Sequence, residues 1–469
     1  MKTIAELLTA SAENWHDKDY ITHNGNTHTF SQFYDDVRST ARYLSGRFGK
    51  NCVCAVYAEN SYEWLVVYVA LIAYSGVCMP IDKEWTEHDL GNTIAAIKPN
   101  AVIYSDSTQE KARLALDGAS DVAGVHINDI LSEAESYADT EISPITDLEK
   151  TVMLIFTSGT TSAPKVIPLT QKNMLANGET LLRRTPMDNS DLTCIFLPLN
   201  HVYTCISNFL YTLISGLRIY ICADIKRYTE DILRMRPDII CTVPLLLNKW
   251  YENMNDTLLD CLRNMKYIYC SASALDPEIK RYFRENGVPL IESYGASETS
   301  GAVSLDLVGE TDLNCCGTVF ENLDVVIDSP DSDGFGEILV RGDSITHGYL
   351  GCDCNSRYFD ANGCYHTGDI GRLGDGRKLY FKGRIRRLLD TSSGKNIYAD
   401  ELEKMIADLG VCSKVRVSLE NKMITAKIYT ELTKAEVSAV IDEMNSRLPK
   451  YKRIQDICIC RDEMGMRIK

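Results

Sequence analysis

Apolar and polar positions follow two periods along the first 300 residues. A stripe at helical spacing, made of Phe33, Val37, Ala41 and Leu44, predicts a helix that Ser31 could cap. Short apolar runs rich in β-branched and aromatic residues predict strands. These runs are 53–57, 101–104, 220–222, 239–243 and 266–269. Because helices and strands alternate, we expect α/β layers with largely parallel sheets.

The pattern changes after residue 310 to short β runs and tight turns. Residues 336–341 predict a strand, and residues 373–381 predict a hairpin closed by Asp375-Gly376. Helices are predicted over 398–409 and 434–448. We expect an α/β protein with a large N-terminal domain of layered α/β sheets plus a β-rich subdomain (1–384), and a small α+β C-terminal domain (385–469).

The apolar run from Trp64 to Met79 raises the question of a membrane span. It is shorter than the ~18–20 residues that cross a bilayer, and Ser75-Gly76 interrupts it. A buried helix that leads into a strand explains it better. The acidic residues Glu13, Asp17 and Asp19 follow the N-terminus closely and predict no signal peptide. We therefore expect a cytoplasmic protein without a membrane span.

Composition narrows the possible partners. Asp and Glu total 65 against 49 Lys and Arg, so the net charge is -16. This surplus repels nucleic acid and anionic membranes, and an anionic substrate would need a local positive site. The 17 cysteines are scattered and show no Cys-x-x-Cys spacing with a nearby His pair. They predict reduced thiols that fill the core rather than a disulfide framework or a metal site.

A hydroxyl-rich loop follows the strand predicted over residues 151–156. Its sequence is Thr157-Ser-Gly-Thr-Thr-Ser-Ala-Pro-Lys165, and it includes Ser158, Gly159, Thr160 and Thr161. Such a loop can surround a polyphosphate with neutral donors, while Lys165 adds positive charge. It differs from a Walker loop, because Pro164 replaces the second glycine and a strand rather than a helix is predicted next. A solvated Ser/Thr turn is the alternative.

Five further segments add candidate chemistry downstream of this loop. They are Leu197-Pro-Leu-Asn-His201, Tyr294-Gly-Ala-Ser-Glu298, Tyr365-His-Thr-Gly-Asp369, Gly383-Arg-Ile-Arg386 and the stretch 390–403. With the loop, they resemble the adenylate-forming superfamily of acyl- and aryl-CoA synthetases, adenylation domains and luciferases. The likeness runs from about residue 5 to 469, and the stretch 390–403 looks most like the long-chain fatty acyl-CoA synthetases.

The resemblance implies roles around ATP and Mg²⁺. Tyr294 packs against adenine, Gly295 belongs to the same motif, Ser297 contacts the α-phosphate and Glu298 holds Mg²⁺, which prefers oxygen ligands. Small residues pass beside the adenine at Ser271, Ala272 and Ser273, unless they serve only packing. Asp369 accepts hydrogen bonds from the ribose hydroxyls, and Arg384 reaches the ribose or phosphates.

The acid is expected near His201, which stacks or gates where the carboxylate meets ATP, or is simply a packed residue at a helix start. Residues 197–217 contain no Asp or Glu, whereas amino-acid-activating relatives use an aspartate here. The apolar residues Val202, Ile206, Phe209 and Leu210 favour an uncharged or fatty tail.

The small domain is mobile in this superfamily and turns after adenylation about a hinge that corresponds to Arg386. A pantetheine channel is expected near Gly394 and Lys395. Relatives place a catalytic lysine close to the C-terminus, where this chain has Arg467 in one alignment and Met466 in another. We prefer Arg467, although its planar guanidinium differs from a compact ammonium.

These expectations define a ligase that consumes ATP with Mg²⁺ and forms an acyl-AMP. The acyl group would then pass to CoA. Two alternatives stay open: loading of a pantetheine on an acyl carrier protein, and a weakly active relative that binds acyl-adenylates.

Overall fold

The computed structural model describes most of the chain, namely residues 1–157, 165–222, 224–352, 355–389, 397–420, 423–446, 448 and 452–461. The chain divides into two compact units. Unit 1 comprises Met1–Val325, Val340–Tyr365 and Gly376–Lys378, and unit 2 comprises Val326–Leu339, His366–Asp375 and Leu379–Lys469. The structure is α/β, with a large N-terminal sheet domain and a smaller C-terminal domain, as the sequence predicted. A boundary after Arg384 stays a prediction.

The strands of unit 1 form two sheets. In chain order they are β1 (Asp19–His23), β2 (Asn26–Thr29), β3 (Cys52–Tyr57), β4 (Gly76–Pro80), β5 (Ala101–Tyr104), β6 (Ala123–His126), β7 (Thr151–Thr157), β8 (Lys165–Thr170), β9 (Leu192–Ile195), β10 (Arg218–Ile221), β11 (Ile239–Thr242), β12 (Tyr267–Cys270), β13 (Leu290–Ala296), β14 (Gly301–Leu305) and β15 (Cys315–Val319).

One sheet has the order β6-β5-β3-β4-β7-β8, and its neighbouring strands pair in parallel except in the β7–β8 hairpin. The other contains the order β15-β14-β13-β12-β11-β9-β10-β1-β2. Its central strands, from β13 to β1, are parallel, while β14 and β2 pair antiparallel with their neighbours. The predicted parallel layers are confirmed.

Helices connect these strands. In chain order they are α1 (Ile4–Trp15), α2 (Phe30–Phe48), α3 (Tyr62–Ala70), α4 (Glu87–Ile97), α5 (Gln109–Leu116), α6 (Ile127–Glu133), α7 (Gln171–Leu175), α8 (Gly178–Arg184), α9 (Thr212–Ser215), α10 (Tyr228–Met235), α11 (Pro244–Glu252), α12 (Asp256–Arg263) and α13 (Pro277–Glu285).

Helix α2 shows how the apolar stripe places an element. Phe33, Val37, Ala41 and Leu44 are all fully buried, as predicted. The cap is Thr29 rather than Ser31, because the Thr29 hydroxyl accepts the backbone N–H of Gln32 at 3.2 Å. The apolar run after residue 64 likewise becomes α3, a π-helical turn and β4, and its residues are buried except for the half-buried Val77.

Unit 2 is the smaller of the two. The strands that lie wholly or largely in it are β16 (Asp324–Asp328), β17 (Gly336–Arg341), β18 (Tyr365–Leu373), β19 (Lys378–Arg384), β20 (Leu388–Leu389), β21 (Ile397–Tyr398), β22 (Lys414–Glu420), β23 (Met423–Tyr429) and β24 (Asp456–Cys460), and its helices are α14 (Ala399–Asp408) and α15 (Lys434–Ser446). The β18–β19 hairpin closes at Asp375-Gly376 as predicted. The sheet β22-β23-β24 packs with α14 and α15 around its own apolar core.

Two expectations about the whole chain have partial answers. Across the described ranges, no helix is both long and apolar enough to span a bilayer. Among the cysteines that the structure describes, fifteen are free thiols, most of them buried. Cys352, in contrast, is disulfide-bonded, so the prediction of reduced thiols is wrong there. Residue spacing alone does not reveal which two side chains meet.

Candidate functional site

The hydroxyl-rich loop joins two strands of a hairpin. Lys165 is the first residue of β8 and lies directly opposite Thr157, the last residue of β7. A strand therefore leaves the loop, as its non-Walker ending predicted. The predicted phosphate-binding residues Ser158, Gly159, Thr160 and Thr161 lie outside the described residues, and the described part of the site surrounds the hairpin.

A second segment, residues 343–350, runs along β8. The backbone N–H of Leu350 donates to the Val166 carbonyl at 2.9 Å, and the Thr346 hydroxyl donates to the Pro168 carbonyl at 2.6 Å. Asn173 adds two amide hydrogen bonds to carbonyls of this segment. We call residues 343–350 the tether segment, since it fixes the hairpin to the turn formed by Ser297–Thr299.

Glu298 lies in a short 3-10 turn, Ser297–Thr299, directly after β13. The turn is closed by Thr299, whose hydroxyl accepts the Ala296 N–H at 2.9 Å. Gly295 is required here, because a Cβ at this position would overlap the Gly301 carbonyl of β14. The tether segment holds the turn as well, since the Thr346 N–H donates to the Glu298 carbonyl at 2.9 Å.

Tyr349 of the tether segment connects the predicted metal ligand with the predicted phosphate lysine. Its hydroxyl donates to Glu298 Oε1 at 2.7 Å, and the centre of its ring lies 4.6 Å from Lys165 Nζ. The ring of Tyr358 lies closer still to that ammonium, at 3.5 Å. Burial and the Glu298 charge raise the pKa of Tyr349 above its usual range, so the phenol stays a donor.

The surroundings of Glu298 suit one Mg²⁺ ion bound together with a nucleotide. The residue is only 8 % exposed, and no described residue donates a hydrogen bond to its second oxygen, Oε2. A buried carboxylate in this state has capacity for a cation. Within the described part of the chain, no three His, Cys, Asp or Glu side chains form a metal cluster. Mg²⁺ fits such a site, because it commonly takes one carboxylate, phosphate oxygens and water.

The predicted adenine segment follows β12. The Ser271 hydroxyl donates to the Ser293 carbonyl at 3.0 Å, which places this segment beside the residue preceding Tyr294. Ala272 has a φ of +78°, a left-handed backbone that is costly for a residue with a Cβ. Ala272 and Ser273 are exposed, and Tyr294 is half-buried. A segment of small side chains thus lies beside the residue that precedes Tyr294.

His201 lies on a separate segment. The side-chain amide of Asn60 holds that segment, donating to the Leu197 carbonyl at 2.8 Å and accepting the Leu199 N–H at 2.9 Å. Part of the His201 surface reaches solvent. Desolvation by the neighbouring protein nevertheless lowers its pKa, so the ring favours the neutral form.

A π-helical turn over Tyr203–Leu210 follows His201. Phe209 is fully buried against the rings of Phe33 and Tyr68, and Ile206 and Leu210 are also fully buried. These side chains belong to the core and do not offer the open apolar surface that the sequence suggested. The half-buried residues of the turn are Tyr203 and Ser207, and a Cβ on Gly301 would lie 3.3 Å from Ser207 Oγ.

Unit 2 holds the predicted ribose residues next to each other. Asp369 lies opposite Arg384 in the β18–β19 ladder, and Arg384 Nε is 3.1 Å from Asp369 Oδ1. Glu337 stabilises the turn before Asp369 by accepting the Gly368 N–H at 3.0 Å. The ion pair orients the carboxylate and leaves the arginine half exposed.

Three kinds of outcome follow for the predicted residues. Lys165 and Glu298 are brought together at Tyr349 of the tether segment, the backbone of Thr157 pairs with Lys165, and His201 lies on its own segment. Gly394, Lys395 and Arg467 lie outside the described residues. The sequence missed Tyr349, Asn60 and Glu337, because each acts through a partner that is distant along the chain, and no local motif marks any of them.

Comparison with known proteins agrees with this picture. The chain is 25% identical over 424 residues to "Probable CoA ligase CCL9" of Humulus lupulus, covering 84% of this chain and 79% of that protein. It is 25% identical over 462 residues to 2-succinylbenzoate--CoA ligase of Lactococcus lactis subsp. lactis, covering 96% and 95%. Long-chain-fatty-acid--CoA ligase ACSBG2 of Xenopus laevis is 24% identical over 468 residues, covering 83% and 62%. A special likeness to long-chain enzymes is therefore not shown.

Solved structures share the fold. The o-succinylbenzoate CoA synthetase MenE of Bacillus subtilis with its acyl-adenylate OSB-AMP matches with a TM-score of 0.87 at 21% identity, covering 97% of this chain and 94% of that one. Its complex with ATP and magnesium matches with a TM-score of 0.85 at 21% identity, covering 97% and 95%. The family described as "AMP-binding enzyme" matches residues 8–350. Since this match spans most of the chain, the protein belongs to the AMP-binding enzyme family.

Proposed function

We propose that this protein is an AMP-forming acid–thiol ligase that joins a carboxylic acid to CoA at the expense of ATP. The carrying observation is the arrangement around Tyr349, which brings the hairpin lysine Lys165 and the buried carboxylate Glu298 to one phenol. A cation for phosphate and a carboxylate for Mg²⁺ are the two charges that a nucleotide triphosphate site needs. Relatives that carry CoA-ligase names and the matched family support the same activity.

The chemistry has two steps. A carboxylate oxygen of the acid attacks the α-phosphorus of ATP, the bond to the β-phosphate breaks, and pyrophosphate leaves. The thiol of CoA then attacks the acyl carbonyl, its proton passes to solvent, and the bond to AMP breaks. Mg²⁺ held at Glu298 would neutralise phosphate charge. Lys165 would bind phosphate oxygens, and neutral His201 would stack on or gate the acid.

In unit 2, Asp369 is proposed to accept hydrogen bonds from ribose hydroxyls, with Arg384 orienting it. Arg467 is proposed as the C-terminal cation of the first step, and Gly394 and Lys395 as contacts of the pantetheine arm.

For the acid we propose an uncharged tail rather than an amino acid. No Asp or Glu between residues 197 and 217 could pair with an ammonium group. The half-buried Tyr203, with its hydroxyl donating to the Tyr269 carbonyl at 3.0 Å, and Ser207 beside Gly301 offer an aromatic face and a small hydroxyl. This surface suits an aryl acid at least as well as the fatty acid expected from sequence, and the named relatives include ligases for both.

Pyrophosphate release across a panel of acids tests the proposal. The purified protein would be incubated with ATP, Mg²⁺ and short, medium, long-chain, aryl and amino acids, with and without CoA. We expect release with an uncharged acid and an acyl-CoA product when CoA is present. If the acid is activated and no acyl-CoA forms, but an acyl carrier protein is loaded, the carrier protein rather than CoA would be the acceptor. Absence of release with every acid would contradict the proposal.

A further inference from the structure

The contacts of the tether segment carry an inference that rests on the proposed function and concerns its Mg²⁺ site. We propose that Tyr349 is a positioning residue that presents the Glu298 carboxylate to Mg²⁺ and holds Lys165 beside it. Tyr349 touches neither substrate nor metal in this account, and it acts through the two charged residues that it contacts.

The first step of the argument is the rigidity of Tyr349 itself. Hydrogen bonds from residues on both sides of it, Thr346 and Leu350, attach its backbone to β8. Its ring is 5 % exposed and meets the rings of Tyr358 and Phe359 at 5.2 and 5.9 Å between centres. A side chain fixed on its backbone and on two sides of its ring can impose its own geometry on its partners.

The second step concerns the two oxygens of Glu298. Tyr349 occupies Oε1 at 2.7 Å, and no described residue donates to Oε2. A hydrogen bond at one oxygen restricts the rotation of the carboxylate, so Oε2 samples a narrower range of directions. The ligand direction is thus set before any cation arrives, which reduces the ordering that binding requires. A neutral donor also leaves the negative charge in place, whereas a lysine partner would cancel it.

The third step concerns Lys165. Its ammonium lies 4.6 Å from the centre of the Tyr349 ring and 3.5 Å from that of Tyr358. Cation–π contact of this kind holds an ammonium without neutralising it. One tyrosine therefore restrains both charges through different parts of its side chain, the hydroxyl for Glu298 and the ring for Lys165. Substitutions can separate the two effects.

The test measures ATP affinity by calorimetry while Mg²⁺ is varied, together with pyrophosphate exchange. Tyr349→Phe removes the hydroxyl and keeps the ring. We expect the Mg²⁺ concentration for half-maximal enhancement of ATP binding to rise about tenfold, because hydrogen bonds to charged groups are the strong ones. Affinity for ATP without Mg²⁺ should stay within about twofold, whereas Tyr349→Leu should weaken that too.

Tyr20→Phe is the matched control, since it removes a buried hydroxyl that bonds Thr212 at 2.7 Å and leaves the tether segment intact. It should not change the Mg²⁺ dependence. In a Glu298→Gln background, Tyr349→Phe should cause almost no further change in the Mg²⁺ dependence of ATP binding. The inference is overturned if Tyr349→Phe shows the same Mg²⁺ dependence as the original protein. It is also overturned if the substitution changes that dependence as much in the Glu298→Gln background as it does alone. A parent protein that binds no ATP with Mg²⁺ would overturn the proposed function and this inference together.

Discussion

Two buried glutamates at either end of β13 have opposite surroundings. Glu292 is 6 % exposed, and its Oε2 lies 2.8 Å from the ammonium of Lys280, a lysine with no exposed surface. Lys280 also contacts Asp306 Oδ2 at 3.2 Å and donates to the Cys315 carbonyl at 2.8 Å. Glu292 Oε1 accepts the Leu275 N–H at 3.3 Å. Both oxygens of Glu292 are therefore satisfied from within the protein.

Glu298, in the turn after the same strand, is almost as buried, but among the described residues its carboxylate receives only the neutral hydroxyl of Tyr349, at Oε1. A buried charge is tolerated when it is paired, and an uncompensated one is costly. Glu292 serves the fold, since it also holds the loop at Leu275, and the contrast supports the proposal that Glu298 serves a cation from outside. Substitutions at the two sites should therefore have different consequences. Disrupting the Glu292 site should lower stability, and disrupting the Glu298 site should lower activity.

The largest effect is expected from Lys280→Met, which leaves Glu292 and Asp306 buried with less compensation. The free energy of unfolding should fall by about 3–5 kcal/mol, the usual consequence of removing one partner from a buried ion pair. Chemical denaturation would measure this. Lys280→Met combined with Glu292→Gln should lower the free energy of unfolding by less than the sum of the two single substitutions. Strict additivity would show that the two side chains do not act as a pair.

The next effect is on activity. Glu298→Gln keeps the shape of the side chain and removes its charge, so pyrophosphate exchange should fall about 10²–10³-fold, as when one charge-stabilising group is lost from an active site. The unfolding free energy should stay the same or rise, because an uncompensated charge is removed. A loss of stability comparable to that of Lys280→Met would erase the contrast between the two glutamates.

Lys165→Met should have a smaller effect, because other donors are expected to share the phosphate charge. We expect KM for ATP to rise about tenfold, on the order of one charge-assisted hydrogen bond. Initial rates at varied ATP would show it. Lys111→Met, at a half-buried lysine whose ammonium donates to the Lys83 carbonyl, serves as the matched control and should leave KM unchanged. Equal KM values for the original protein, Lys165→Met and Lys111→Met would show that Lys165 does not bind ATP.

The smallest effect concerns pH. Burial and the Glu298 charge raise the pKa of Tyr349, so the folded protein keeps this proton more tightly than the unfolded chain. The resulting stability is present below about pH 10, the ordinary pKa of tyrosine, and is lost as pH rises above it. Between pH 7 and 9.5 the Mg²⁺ dependence should therefore be constant. Above pH 10, unfolding free energy should decline less steeply for Tyr349→Phe, and an identical slope would contradict the contact.

Local patterns were enough to predict many elements of the fold. The stripe of α2 and the apolar run of β5 depend on neighbouring residues alone, and both appear as expected. The hairpin around Asp375-Gly376 follows from its turn residues. The cap of α2 moved from Ser31 to Thr29, because either hydroxyl can begin a helix and tertiary packing selects the start.

The candidate site was predictable only in its named motifs. Tyr349 meets Glu298 across 51 positions of the chain, and a lone Gly-Tyr pair gives no signal of that contact. The apolar residues after His201 were interpreted as pocket surface, yet all four are buried in the core, and three of them lie in a π-helical turn, which changes which positions share a face. Acid specificity depends on such contacts, which explains why sequence favoured a fatty tail while relatives of several substrate classes match comparably.

The most direct test of the account follows oxygen atoms. An acid that supports pyrophosphate release would be labelled with ¹⁸O in its carboxylate and incubated with the protein, ATP, Mg²⁺ and CoA, and the AMP would be analysed by mass spectrometry. Attack on the α-phosphorus predicts one ¹⁸O in each AMP. Unlabelled AMP, or label in inorganic phosphate together with ADP, would contradict an AMP-forming ligase.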